Sequence, residues 1–202
     1  MPNERAIPGK VIVFAMLALL IMSLSGAYMI HRANRNRLAL PVLGRVPEFT
    51  FTERSGMPFG RKDIMGKITV FDFIFTRCPG VCPVMADKMS RLYELFAKHP
   101  EVQFVSISVD PDYDSLQILQ AYAKDHGVTD NRWLFLRGPI EEVKKLAEDG
   151  LKLPMGNLPA GHSSKFVLVD NKGQIRGYYD SDDNQSQLLL EHHIRAFLGA
   201  MR

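Results

Sequence analysis

Hydrophobic positions along the chain fall into two regimes. Residues 11–30 (VIVFAMLALLIMSLSGAYMI) run for 20 positions without a charge, about what a helix needs to cross the hydrocarbon core of a bilayer. Beyond about residue 47 the apolar positions come in shorter runs that alternate between strand-like and helical periods. Strands are predicted over 49–52, 68–75, 102–109, 133–136, 165–169 and 174–179. Helices are predicted over 83–98, 115–126, 140–148 and 185–201; the second of these aligns Leu116, Ile118, Leu119, Tyr122 and Ala123 on one face. Asp170-Asn171-Lys172-Gly173 supplies hairpin turn chemistry between the last two strands.

Strands alternating with helices predict an α/β domain with a central mixed sheet flanked by helices, to which the terminal hairpin adds an antiparallel part. The continuous apolar runs at 68–75 and 102–109 read as central strands buried on both faces. In such sheets ligands sit beyond the carboxyl ends of the strands, so the residues after Phe75 are the first place to look for chemistry. Residues 1–10 are read as an N-terminal flank, 11–30 as a transmembrane anchor, 31–46 as a tether containing Pro41 and Gly44, and 47–202 as the folded domain. A signal peptide cut near Ser23, Ser25, Gly26 and Ala27 is the alternative to an anchor. The apolar run is longer than a usual signal core and continues through Tyr28, Met29 and Ile30, which favours the anchor.

Charge narrows the function classes. The chain carries +3 overall, but five basic residues and one acid precede residue 45, which leaves 45–202 at −1. The domain has no basic cluster, so nucleic acid is not an expected partner. The positive-inside rule sets Arg5 and Lys10 against Arg32, Arg35, Arg37 and Arg45 and, taken alone, puts the domain in the cytoplasm.

The two cysteines, Cys78 and Cys82, lie in Thr76-Arg77-Cys78-Pro79-Gly80-Val81-Cys82-Pro83, directly after a predicted central strand. Four-residue spacing at a helix start brings two sulfurs onto one face, where they can share a soft metal ion or close into a disulfide. A helix N-terminus, with Arg77 adding to its field, is expected to lower the thiol pKa. Of His31, His99, His126, His162, His192 and His193, only His162 lies in an irregular segment, 153–164, just before a strand; the others fall on helix ends or faces or in the membrane flank. Met85 and Met89 read as core, while Met155 shares the irregular segment with His162. Two thiolates and an imidazole suit copper, and zinc fits the same donors.

These pieces resemble the SCO/SenC family of membrane-anchored, thioredoxin-like copper-binding proteins. The resemblance runs over residues 47–200 and is carried by Phe73–Pro83 with its Cys-x3-Cys-Pro core, Ser106–Asp114, Trp133–Gly138, Gly161-His162-Ser163-Ser164 and Asp170–Ile175. It implies a thioredoxin-like fold and copper, as Cu(I) or Cu(II), held by Cys78, Cys82 and His162. It also implies that 110–114 form a Val-Asp-Pro turn that binds no metal, and that the partner is the copper-site subunit of cytochrome c oxidase, whose CuA centre the family helps to assemble. Where many members carry acidic residues, within the cysteine loop and before the histidine, this chain has Gly80 and Gly161. Family location places the domain on the extracytoplasmic side, against the arginine count. With no Arg-rich transit peptide ahead of the anchor, a bacterial cytoplasmic membrane is expected, with the domain in the periplasm. Two other readings use the same cysteines: a thiol-disulfide oxidoreductase that reduces the oxidase cysteines through the Cys78/Cys82 redox pair, and a peroxiredoxin-like peroxide reductase relying on Thr76.

Overall fold

The computed structural model describes residues 9–37 and 40–201, in two units. Residues 1–8, most of the expected N-terminal flank, and 38–39 of the expected tether lie outside them. The first unit holds helix α1 (Gly9–Arg37). Its apolar residues show no dominant face, and Phe14, Leu17, Leu20, Ile21, Leu24 and Met29 are exposed. Among the described residues no helix is long and apolar enough to cross a membrane. The helix expected over 11–30 is present within α1. The Ser23 and Ser25 hydroxyls donate back to the Leu20 and Met22 carbonyls at 2.8 and 3.0 Å.

The second unit is an eight-stranded mixed sheet with flanking helices. In chain order its elements are β1 (Gly44–Arg45), β2 (Thr50–Glu53), β3 (Pro58–Gly60), α2 (Arg61–Ile64), β4 (Ile68–Ile74), α3 (Val81–Leu95) and β5 (Val102–Ser108). Then follow α4 (Leu116–Asp125), β6 (Trp133–Arg137), α5 (Ile140–Lys145), β7 (Lys165–Val169), β8 (Gln174–Asp180) and α6 (Asn184–Ala200). The strand order is β1-β8-β7-β4-β5-β6-β2-β3; β4, β5 and β6 run parallel and every other neighbour is antiparallel.

Every residue of β4 (ITVFDFI) and β5 (VQFVSIS) is buried, the predominantly apolar strands at the centre of a sheet covered on both faces, with Thr69, Asp72, Gln103, Ser106 and Ser108 buried among them. Alternation sends Phe71, Phe73, Val105 and Ile107 into one core with Val143, Leu151, Leu153 and Met155. The opposite face carries an aromatic cluster in which Trp133 stacks on Phe135 at 5.1 Å and meets Tyr93 of α3 at 5.8 Å. Ser115 and Asp183 cap α4 and α6 by accepting from Ile118 N and from Gln185 N and Ser186 N. In the β7–β8 turn, Asp170 Oδ1 accepts from Lys172 N and Gln174 N, and Gly173 takes the left-handed backbone (φ 69°) that the turn requires.

Three differences from the sequence reading have physical causes. Residues 44–46, read as tether, belong to the sheet and core: Leu43 N donates to Ile175 O and Val46 N to Gly173 O, and Val46 is buried. β3 and α2 are too short to show a period. The helix expected over 140–148 ends at Lys145 and passes into one π turn (Leu146–Gly150), where Leu151 N donates to Leu146 O at 2.7 Å. Gly150 sits against Pro47, which would lie 2.9 Å from any Cβ there. The chain leaves this turn with Leu151, Leu153 and Met155 buried and Lys152 and Pro154 exposed, and so threads an extended path along the core toward His162.

Candidate metal centre

β4 ends at Ile74 and, after six intervening residues, α3 begins at Val81, so Cys78 precedes the helix and Cys82 is its second residue. Pro83 falls in the first turn, where a missing N–H costs no helical bond. Cys78 N donates to Phe75 O at 3.2 Å, which folds the loop back over the strand end. Cys82 is buried and Cys78 half-buried, and no disulfide joins them. The irregular segment brings His162 from the other direction.

The sulfurs of Cys78 and Cys82 and a ring nitrogen of His162 all lie within 4.8 Å of one another. Cys82 Sγ is 3.1 Å from His162 Nε2, and His162 Nδ1 is 3.0 Å from the Ser163 carbonyl. That carbonyl can only accept, so Nδ1 carries the proton and Nε2 presents its lone pair to the sulfurs. The Phe75 ring meets the imidazole edge-on at 5.6 Å and further limits its rotation. Burial lowers the His162 pKa, only partly offset by the bond to Ser163, which keeps the ring in the neutral, ligating form.

Burial likewise pushes the Cys82 thiol up to about 12, and the adjacent Cys78 thiol adds to the effect. This reverses the expected lowering, because desolvation of a buried thiolate outweighs the field of the helix end. Arg77 does not aid the thiols: its Nε donates to Asp110 Oδ2 at 2.7 Å and its guanidinium lies 4.5 Å from the centre of the Tyr113 ring. Cys82 is therefore a protonated thiol whose S–H points into the His162 lone pair. A soft cation that displaces this proton gains the Cys82 thiolate and the imidazole, held by backbone segments 80 residues apart, with the Cys78 sulfur beside them.

The structure thus brings together all three residues predicted to ligate metal. Met85 and Met89 are fully buried core residues, and Met155 is buried in the core cluster. His126 packs on Tyr122, and His193 Nδ1 is paired with Tyr179 Oη at 2.7 Å, away from the thiols. The Thr76 hydroxyl donates to Asp114 Oδ1 at 2.5 Å and does not serve the cysteines, which removes the support for peroxide reduction. The sequence reading leaves 110–114 as a turn, and the turn has a further part: Asp110 and Asp114 hold Arg77 and Thr76, the two residues that lead into Cys78.

Comparison with known proteins points the same way. The family described as SCO1/SenC matches residues 44–197. A SCO1 protein homolog of Bacillus subtilis is 31% identical over 150 residues, 71% of this chain and 78% of that protein. The solved structure of BsSco, a member of the Sco family of cytochrome c oxidase assembly proteins in which a disulfide switch was identified, has a TM-score of 0.68 at 28% identity. It covers 79% of this chain and 97% of that one. Yeast Sco1 with copper bound has a TM-score of 0.58 at 26% identity, covering 74% of this chain and 88% of that one.

Proposed function

Because the chain belongs to the SCO1/SenC family, we propose that it carries copper on Cys78, Cys82 and His162 and delivers it to the copper-site subunit of a cytochrome c oxidase during assembly of the CuA centre. The observation that carries this reading is the convergence of the two sulfurs and an imidazole with its Nε2 lone pair facing them. Thiolates suit soft copper, and the imidazole accommodates it as well. Cys82 and His162 are buried while Cys78 is half-exposed, so transfer by ligand exchange starts at Cys78. The same difference supports a second reading as a thiol-disulfide oxidoreductase. There the Cys78 thiolate attacks a partner disulfide and releases one partner thiolate; Cys82 then loses its proton and attacks the Cys78 sulfur. The products are a Cys78–Cys82 disulfide and a reduced partner.

The reading includes attachment of the chain to a bacterial cytoplasmic membrane through residues 11–30, with the domain on the extracytoplasmic side. Exposed apolar residues all round α1 support attachment, since such a helix is otherwise found inside large cores.

The deciding experiment is copper stoichiometry and absorption of the reduced chain beside His162→Ala. One copper per chain with thiolate-to-copper bands, lost in the variant, is expected for delivery. Absence of copper from the unmodified chain, with disulfide exchange intact in both, would pass the lead to the oxidoreductase reading.

A further inference from the structure

Between the buried end of β4 and Cys78 the chain has only Phe75, Thr76 and Arg77, and the last two are held by the loop that follows β5. Asp114, fully buried in that loop, accepts from Thr76 Oγ1 and from Ser108 Oγ at 2.5 Å each, and from Thr76 N at 3.3 Å. Its own N–H donates to the Asp110 carbonyl at 2.9 Å. The Asp110 carboxylate in turn accepts from Arg77 Nε, and its backbone N–H donates to Ser108 Oγ at 3.1 Å. The parallel register of β4 and β5 ends at the pair Ile74 and Ser108. One carboxylate therefore sits where the two central strands part, and it ties the start of the cysteine loop to the end of the neighbouring strand. Ser115, the next residue, caps α4, so the tie is anchored on a helix as well.

We propose that Asp114 is a positioning residue for the metal centre: acting through Thr76, it fixes where Cys78 stands relative to Cys82 and His162, touching none of the three. The proposal rests on the copper reading for its cargo but not for its geometry. A buried carboxylate is stable only while its donors stay in place, and removing one leaves an unmet acceptor that the loop can satisfy only by moving. Movement of the loop separates the sulfurs, and the cost of re-gathering them appears as lost metal affinity.

Thr76→Val removes the hydroxyl donor at nearly constant volume, whereas Thr76→Ser keeps it. Two readouts on the full-length chain apply: the rate of Cys82 alkylation by iodoacetamide in the metal-free reduced protein, and Cu(I) affinity by competition with a chromogenic chelator. Loss of one hydrogen bond to a buried carboxylate predicts roughly tenfold faster alkylation and roughly tenfold weaker Cu(I) binding in the valine variant, with the serine variant within about twofold of the parent. A valine variant equal to the parent in both readouts, or a serine variant as impaired as valine, would overturn the proposal. If the valine variant fails to fold, Asp114→Asn, which keeps the shape but loses acceptor capacity, carries the same test with the same expected direction. Should the parent chain take up no Cu(I), the copper reading fails while the alkylation rates still decide the positioning.

Discussion

Asp72 lies in the middle of β4, wholly buried, and neither of its carboxylate oxygens has a hydrogen-bond partner. Burial pushes its pKa up to about 7; the Ser106 hydroxyl, which accepts from Trp133 Nε1 at 2.9 Å, moderates this from nearby. The folded chain then keeps a proton between pH 3.8 and about 7 that the unfolded chain has released. Stability contributed by this group is full below pH 3.8 and lost as pH rises through about 7, by an amount on the order of 4 kcal/mol from linkage. Burial lowers the pKa of His126, His162 and His193, so they act the other way and withdraw stability as pH falls below 6.5. The comparison with Asp72→Asn isolates the carboxyl, because the histidines are common to both proteins. Urea midpoints of the two are expected to coincide near pH 4 and diverge by pH 8, with the asparagine variant more stable; parallel curves across that range would refute the assignment. An ionised Asp72 also raises the cost of a thiolate at Cys82, which adds to the protonated state described above.

At the scale of elements, the site is two irregular segments clamped onto regular ones, and Gly80 and Gly161 within them behave differently. A Cβ on Gly80 meets nothing within 4 Å, whereas one on Gly161 lies 2.6 Å from Asn157 N and 2.8 Å from Gly156 C, backbone atoms that cannot swing aside. Gly161 is held there by reciprocal bonds, its N–H donating to Asn157 O and its carbonyl accepting from Gly156 N, both at 2.8 Å. Gly161→Asp therefore displaces the neighbouring His162 and is expected to abolish copper binding measured by equilibrium dialysis. Gly80→Asp leaves the fold and one-to-one loading intact; an aspartate at 161 that binds as the parent does would show the turn to be adaptable.

The thiols and the histidine were legible in the sequence because chemistry marks them: the only two cysteines lie four residues apart, and His162 alone among the histidines falls in a long irregular segment rather than beside a helix or the membrane flank. β4 and β5 were legible because burial on both faces leaves predominantly apolar runs without the alternation of a half-exposed strand. The two-residue β1 and three-residue β3 carry no period to read. The bond from Thr76 to Asp114 spans 38 residues and exists only because β4 and β5 are parallel and end in register. The sign of the Cys82 shift depends on depth of burial, which neither spacing nor composition encodes.

At the scale of the whole molecule, the second unit begins at Pro41, ahead of the boundary at residue 47 that composition suggested. The difference is energetic. β1 covers the outer edge of β8 with Leu43 N and Val46 N donating to Ile175 O and Gly173 O at 2.9 and 3.0 Å, and Val46 adds a buried side chain to the core. Two backbone hydrogen bonds and one buried valine are worth about 3 kcal/mol together. For a domain of this size that amounts to a midpoint difference of roughly 5–10 °C between chains starting at 41 and at 47. Both retain Cys78, Cys82 and His162, so both are expected to load copper one to one; the shorter melts earlier and, with β8 uncovered, presents an edge strand prone to association. The full-length chain is expected in the membrane fraction and to resist extraction at alkaline pH, while the chain starting at 41 stays soluble. Equal melting points for the two truncated chains would return residues 41–46 to the role of a tether, and a full-length chain found in the soluble fraction would remove the anchor.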